Sequence, residues 1–320
     1  MTTTYRIKFF CSFASSEICK NNFEKIDFAD QIDFYGENKK VFFTTGDDYT
    51  HAILINTPMP DLKIPKANVI GFAFEPIRFL GLTSQFVQYA QAHIGRYYIG
   101  DKYDLPSPFV EGFAYMWHSR PPKEITLKQK VMSIILSNKR MAPGHIYRHQ
   151  LVEEIIKRRL PIDIFGRGSV QYNYPTVKGE FECDSEAFED YLYSICIENF
   201  KCNHYFSEKI MNPLLLNCMP LYYGCHNISQ YFDDVLIITG DLNRDMELII
   251  KILKNPCAYY KPMYNKKNLK TVNLIENVEK VFSFSDSLPK TLPKSSPKTL
   301  SKSLSKTLPK PSPKTLSKNS

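Results

Sequence analysis

The stretch of this chain richest in usable chemistry is Glu198-Asn-Phe-Lys-Cys-Asn-His-Tyr-Phe-Ser-Glu-Lys209. An apolar run, Leu192-Tyr-Ser-Ile-Cys-Ile197, leads into it, and a second begins at Ile210. It therefore reads as a strand end, a polar loop and a helix whose first turn is capped by Ser207. A helix N-terminus preceded by free loop amides is a ready anion site. Lys209 in that first turn would reinforce phosphate binding, and the adjacent Glu208 could accept hydrogen bonds from ribose hydroxyls. These residue types permit a nucleotide site without requiring one, because Glu and Lys are equally common in the first turn of a plain solvated helix.

The elements that must position this stretch come from a clear alternation in the second half of the chain. Val131-Met-Ser-Ile-Ile-Leu136 reads as a buried strand, followed by a helix through His149 to Lys157 with Leu151, Val152, Ile155 and Ile156 on one face. Glu153 and Lys157 are spaced to pair on the opposite face. Further strands are expected at Ile162-Asp-Ile-Phe165, Leu192 to Asn199, Met219 to Gly224 and Val235 to Thr239, with helices from Ser207 to Leu216 and Asp245 to Leu253. Repeated βα units imply a parallel sheet covered by helices on both faces, which binds ligands at the carboxyl ends of its strands. The first third offers strands at Tyr5 to Cys11, Lys40 to Thr44, His51 to Ile55 and Asn68 to Phe74, and a helix over Thr83 to Gln91. The Pro-rich stretch His118-Ser-Arg-Pro-Pro-Lys-Glu124 is the expected domain boundary.

Composition narrows the classes of function. The formal net charge is +8, but residues 289–320 carry eight lysines and no acid, so the body is balanced and a basic nucleic-acid surface is not indicated. Those residues form four octads, PKTLPKSS, PKTLSKSL, SKTLPKPS and PKTLSKNS. With no aromatic residue to bury, residues 286–320 are expected to be a disordered tail, either a spacer or a tether to an anionic membrane surface. The eight cysteines follow no metal-binding spacing and read as reduced core thiols. No run approaches a membrane span, and the first residues, MTTTYRIKFFCSF, show neither the apolar core nor the cleavage site of a signal peptide, so a cytoplasmic protein, or one in peripheral contact with a membrane, is expected. The sequence contains no Asp-x-Asp triplet, and Asp47-Asp48 and Asp233-Asp234 read as solvated loop acids.

Glu198-Asn199, Tyr205, Ser207-Glu-Lys209 and Pro220-Leu-Tyr-Tyr-Gly224 together resemble the signature of the alpha-1,3-fucosyltransferases of glycosyltransferase family 10. The spacing matches without a gap from Glu198 to Gly224, and a looser similarity continues to about Tyr264. Phe200 stands where the family has serine, Ser207 where it has threonine, and Lys201 and His204 occupy a loop that bacterial relatives fill with glycine. The resemblance implies an α/β fold of the GT-B type, with two Rossmann-like domains facing a cleft: residues 1–122 for the acceptor and 123–285 for the nucleotide sugar. It implies an inverting transfer of fucose from GDP-fucose, as co-substrate, to an oligosaccharide or glycoconjugate hydroxyl, with no other cofactor and no essential metal. Donor-site positions carried over are Arg148, Glu198, Asn199, Tyr205, Ser207, Glu208 and Lys209, with Arg140 as second choice for the arginine and Gly166 and Gly168 as a glycine turn beside the donor. Val69-Ile-Gly-Phe-Ala-Phe-Glu-Pro-Ile-Arg-Phe79 looks like the segment holding the catalytic carboxylate, which makes Glu75 the base, with Glu111 and Asp101 as fallbacks. Another nucleotide deoxysugar as donor, or a catalytically silent glycan-binding module, would fit the same residues.

Overall fold

A computed structural model describes residues 4–233, 235–261 and 266–283; Asp234 and the four octads lie outside the described residues. The first half builds β1 (Tyr5–Cys11), α1 (Ser16–Lys25), β2 (Val41–Phe43), β3 (His51–Ile55), β4 (Val69–Phe72), α2 (Ile77–Leu80), α3 (Ser84–His93), β5 (Arg96–Ile99) and β6 (Phe109–Glu111). The second half builds β7 (Lys130–Ile135), α4 (Pro143–Lys157), β8 (Asp163–Phe165), β9 (Val177–Gly179), β10 (Tyr191–Ile197), α5 (Glu208–Leu215), β11 (Met219–Tyr223), β12 (Leu236–Ile237) and α6 (Leu242–Lys254). Three shorter helices follow, α7 (Pro256–Tyr259), α8 (Lys266–Val272) and α9 (Leu274–Phe282).

Each half forms one six-stranded parallel sheet, in the orders β2-β1-β3-β4-β5-β6 and β12-β11-β10-β7-β8-β9. Read from β9, the second sheet runs 9-8-7-10-11-12, the arrangement of a nucleotide-binding sheet that winds outward in both directions from its centre. Chain order reverses between β7 and β10, where Tyr193 pairs with Met132 and Ile195 with Ile134. A parallel sheet covered on both faces needs apolar residues on both, so the strands read as apolar runs rather than alternations. The buried core bears this out with Ile134, Leu136, Ile195, Ile197 and Leu221.

The two halves share one apolar layer. Ile7, Phe9 and Phe23 of the first half belong to the same buried cluster as Ile210, Met211 and Leu214 of α5 and Leu274, Ile275 and Val278 of α9. Although last in sequence, α9 packs on the first sheet. The Phe282 ring lies 4.7 Å from that of His51, and Lys40 Nζ pairs with Glu279 Oε1 at 3.0 Å. The strand-free segment between β6 and β7 contains the Pro-rich stretch expected as the boundary, and its Ser119 amide donates to Asn212 Oδ1 of α5 at 2.8 Å.

Some local readings shift. The helix expected from His149 begins at Pro143, because proline needs no amide partner in a first turn. Glu153 does not pair with Lys157; Lys157 and Arg158 both reach Glu154, while Glu153 accepts from the Tyr172 hydroxyl at 3.1 Å. Five cysteines are buried and all eight are free thiols, with Cys183 and Cys257 exposed. Asp47 and Asp48 are exposed as expected, yet they engage Lys8 and Arg6. Among the described residues no helix is long and apolar enough to cross a membrane.

Candidate active site

The site is built outward from Glu198, the first residue after β10. Its amide donates to Tyr223 O at 2.8 Å, continuing the ladder with β11, and its side chain has no solvent exposure. A carboxylate so placed needs donors. The Ser207 amide supplies one to Oε1 at 2.8 Å, and the Ser207 hydroxyl donates to Oε2 at 2.8 Å. Ser207 also caps α5, its Oγ accepting from the Lys209 amide at 3.4 Å and from Lys209 Nζ at 3.1 Å. Lys209 Nζ donates to Glu208 Oε1 at 2.8 Å and lies 3.7 Å from Glu198 Oε2. Burial raises the Glu198 pKa above the usual carboxylate range, with the Lys209 charge opposing it. Burial pulls on Lys209 too, but Glu208 and Glu198 prevail and hold its ammonium above the ordinary lysine value. At Glu208, burial is overridden by the charge and hydrogen bond of Lys209, which leave it below the ordinary value.

Two glycines make room for this arrangement. A Cβ on Gly224 would stand 2.4 Å from Glu198 Cγ, and one on Gly144 would stand 1.8 Å from Glu198 O. Gly144 sits in the first turn of α4, and its amide donates to Asn199 O at 3.0 Å. The helix is thereby seated against the end of β10. One turn on, the buried Arg148 guanidinium donates to Ile197 O. Burial lowers the Arg148 pKa and Glu198 opposes the shift, but a guanidinium keeps its charge. Arg140, by contrast, lies on the surface 3.9 Å from Glu153. Gly144→Ala is expected to lower stability by at least ~1–3 kcal/mol, because neither backbone can yield easily; thermal unfolding checks it, and an unchanged Tm would contradict the close approach.

Between β7, β10 and α5 lies a cleft of about 220 Å³ whose lining includes Ser137, Arg148, Asp184, Glu208, Lys209 and Asn212. Of the donor positions expected from sequence, Arg148, Glu208 and Lys209 line it. Glu198 and Ser207 sit behind it as supports, Tyr205 is buried, and Asn199 is half-buried and meets Gly144 through its carbonyl. At Gly166, with φ +93°, a Cβ would meet Leu136 O at 2.6 Å, and at Gly168 it would meet Ser137 O at 2.4 Å. Both glycines are thus accounted for by close packing on the end of β7, beside the cleft-lining Ser137. Asn212 follows Glu208 by four residues and could have been found from helical spacing. Asp184 lies in a single turn between β9 and β10 (within Asp184–Ala187) and carries no sequence signal.

The first half contributes Glu75, just beyond β4. Asn56, in the left-handed region at φ +62°, accepts from the Phe74 amide at 2.9 Å, and the Tyr97 hydroxyl donates to its carbonyl at 2.7 Å. The turn holding Glu75 is fixed by these bonds. Burial raises the Glu75 pKa; Lys209 and Lys139 lower it, and Glu208 and Glu198 raise it. That dependence puts the carboxylate within electrostatic reach of the α5 first turn. Next to it, Phe74 and Phe13 pack edge-on against Trp117, at 5.0 and 6.1 Å between centroids. Asp101 and Glu111 are engaged across the two halves: Asn203 Nδ2 donates to Asp101 Oδ1 at 2.8 Å, and His204 Nε2 lies 3.7 Å from Glu111 Oε1. Among the described residues no cluster of three or more His, Cys, Asp or Glu could hold a metal ion.

Two parallel six-stranded Rossmann-like sheets, with Arg148 and Lys209 lining a cleft at the switch point of the second, have the GT-B architecture. A family model described as glycosyltransferase family 10 (fucosyltransferase) C-term matches residues 125–285, half of the chain. The chain belongs to that family of fucosyltransferases. It is 27% identical over 112 residues to GDP-fucose protein O-fucosyltransferase 3 of Danio rerio, covering 30% of this chain and 24% of that protein. To alpha-(1,3)-fucosyltransferase B of Drosophila melanogaster it is 28% identical over 129 residues, covering 37% and 28%. It thus spans about a quarter of the length of these relatives. A crystal structure of an alpha1,3-fucosyltransferase with GDP superposes with a TM-score of 0.53 at 13% identity, covering 90% of this chain and 93% of that one. At that identity the likeness shows the fold.

Proposed function

We propose that this chain moves fucose from GDP-fucose to a hydroxyl of a glycan acceptor in one inverting displacement. The observation that carries the reading is the pair of fixed cations, Lys209 and Arg148, lining one cleft at the β7/β10 switch point with Glu75 within electrostatic reach of it. Residues 123–285 hold the donor, with the diphosphate against Lys209 and Arg148 and the ribose beside Glu208. Residues 1–122 hold the acceptor, next to Glu75 and the aromatic group of Phe13, Phe74 and Trp117. As the acceptor oxygen bonds to the anomeric carbon, its proton passes to Glu75. The bond from that carbon to the diphosphate oxygen breaks, and its electron pair leaves with GDP. Lys209 and Arg148 are in place before charge develops on the leaving group, which is where preorganised cations contribute most.

GDP is expected to raise the melting temperature while UDP and dTDP do not. At 100 times Kd the stabilisation is ~2.7 kcal/mol, a shift on the order of 5 °C for a chain of this size. Equal stabilisation by all three nucleotides, or by none, would sink the donor assignment. Transfer is also expected to persist in excess EDTA, since Lys209 and Arg148 supply the charge that a divalent ion would otherwise bring. Loss of transfer on chelation, restored by Mn²⁺ or Mg²⁺, would overturn that part.

A further inference from the structure

Part of the cleft lining has a chemistry of its own. Phe181, Phe188 and Ile135 belong to one apolar cluster, and the exposed Asp184 adds a second carboxylate beside Glu208. Asp184 is held in place: its Oδ2 accepts from Asn212 Nδ2 at 3.2 Å and from the Ser119 hydroxyl at 3.5 Å. Asn212 is buried, and its own Oδ1 accepts from the Ser119 amide, so linker, helix and carboxylate brace one another. Both bonds to Asp184 fall on Oδ2; Oδ1 accepts neither.

Position along α5 orders these groups. Glu208 and Lys209 are in the first turn, and Asn212, which touches Asp184, comes one turn later, ~5 Å further along the axis. A nucleoside diphosphate with its phosphates at Lys209 and its ribose at Glu208 would bring its base to Asp184. Resting on the donor reading above, we propose that Asp184 reads the base of the donor, accepting the N1–H and N2–H₂ donors of guanine beside that apolar cluster. Guanine presents those two donors side by side, matching the two oxygens of a carboxylate in a charge-assisted pair. Adenine has an acceptor at N1, and uracil and thymine offer a single N–H between two carbonyls, so each would set an acceptor against the carboxylate. A site built on paired hydrogen bonds rejects an analogue that lacks one of them, because its own polar group is left unmatched.

The test is calorimetric titration of the full chain, parent and Asp184→Asn, with GDP, inosine diphosphate and xanthosine diphosphate. Inosine lacks the 2-amino group, and xanthosine carries a 2-oxo group in its place. The parent is expected to bind GDP at least about tenfold more tightly than either analogue. Asp184→Asn, whose amide can donate to a 2-oxo group, is expected to lose GDP affinity by about tenfold and to gain affinity for xanthosine diphosphate. A carboxylate that only braced Asn212 and Ser119 could not produce that exchange of preference. A parent that binds GDP and inosine diphosphate within twofold of each other would overturn the assignment, and this arm requires no variant to fold. A variant that keeps GDP affinity without gaining xanthosine diphosphate would overturn it too. A parent that binds no GDP at all would instead strike the donor reading itself.

Discussion

Replacing Glu75 with glutamine is expected to cut turnover by about 10²–10⁴, the share usually carried by a general base, while GDP binding and melting temperature stay near the parent values. Gln keeps the shape of the side chain, and the turn that holds it is set by Asn56 and Tyr97 rather than by the carboxylate. The pH profile gives a sharper check. A base works only when deprotonated, so the parent rate falls as pH drops through the Glu75 pKa. Burial raises that pKa, so the fall begins above the ordinary carboxylate range. The glutamine variant is expected to lack this limb. Normal turnover in Glu75→Gln would move the role to Asp101 or Glu111 and leave the donor cleft untouched.

Lys209→Ala is expected to weaken GDP binding by roughly 10- to 150-fold, the equivalent of losing one charge-assisted contact of ~1.5–3 kcal/mol. Arg148→Ala is expected to fall in the same range, and calorimetry on both variants checks it. If each binds GDP like the parent, the diphosphate is misplaced. The lysine variant carries a second consequence, because its ammonium lies 3.7 Å from the fully buried carboxylate of Glu198. Without that cation the buried charge lacks its nearest compensation, and the variant is expected to be less stable at neutral pH. The sign with pH follows from Glu198, whose folded pKa is already raised by burial and rises further once Lys209 is gone. The folded state then binds the proton more tightly than the unfolded chain, so the deficit shrinks as pH falls. A deficit that grows on acidification would show that Lys209 does not support Glu198.

The chemistry of the second half was legible in sequence because it is local. Glu198, Ser207, Glu208 and Lys209 sit on one strand, loop and helix, and capping preferences with helical spacing predict how such neighbours meet. Apolar runs likewise announced most strands of both sheets. Residues whose roles depend on distant partners left no such trace. Gly144 is required by a carbonyl on another element, Asp184 is braced by a helix and a linker, and Glu75 belongs to the other sheet. Residue types and spacing by themselves determined the parallel α/β class, the Ser207-capped first turn of α5 and the family resemblance. The tertiary structure alone decided that Arg148 rather than Arg140 lines the cleft, that Glu198 is a buried support rather than a cleft residue, and that the Glu75 carboxyl feels the charge of Lys209. The physical reason is strand order: with β10 beside β7, the end of β10, the loop after β7 and the helices α4 and α5 line one cleft, and no pattern along the chain records which strands become neighbours.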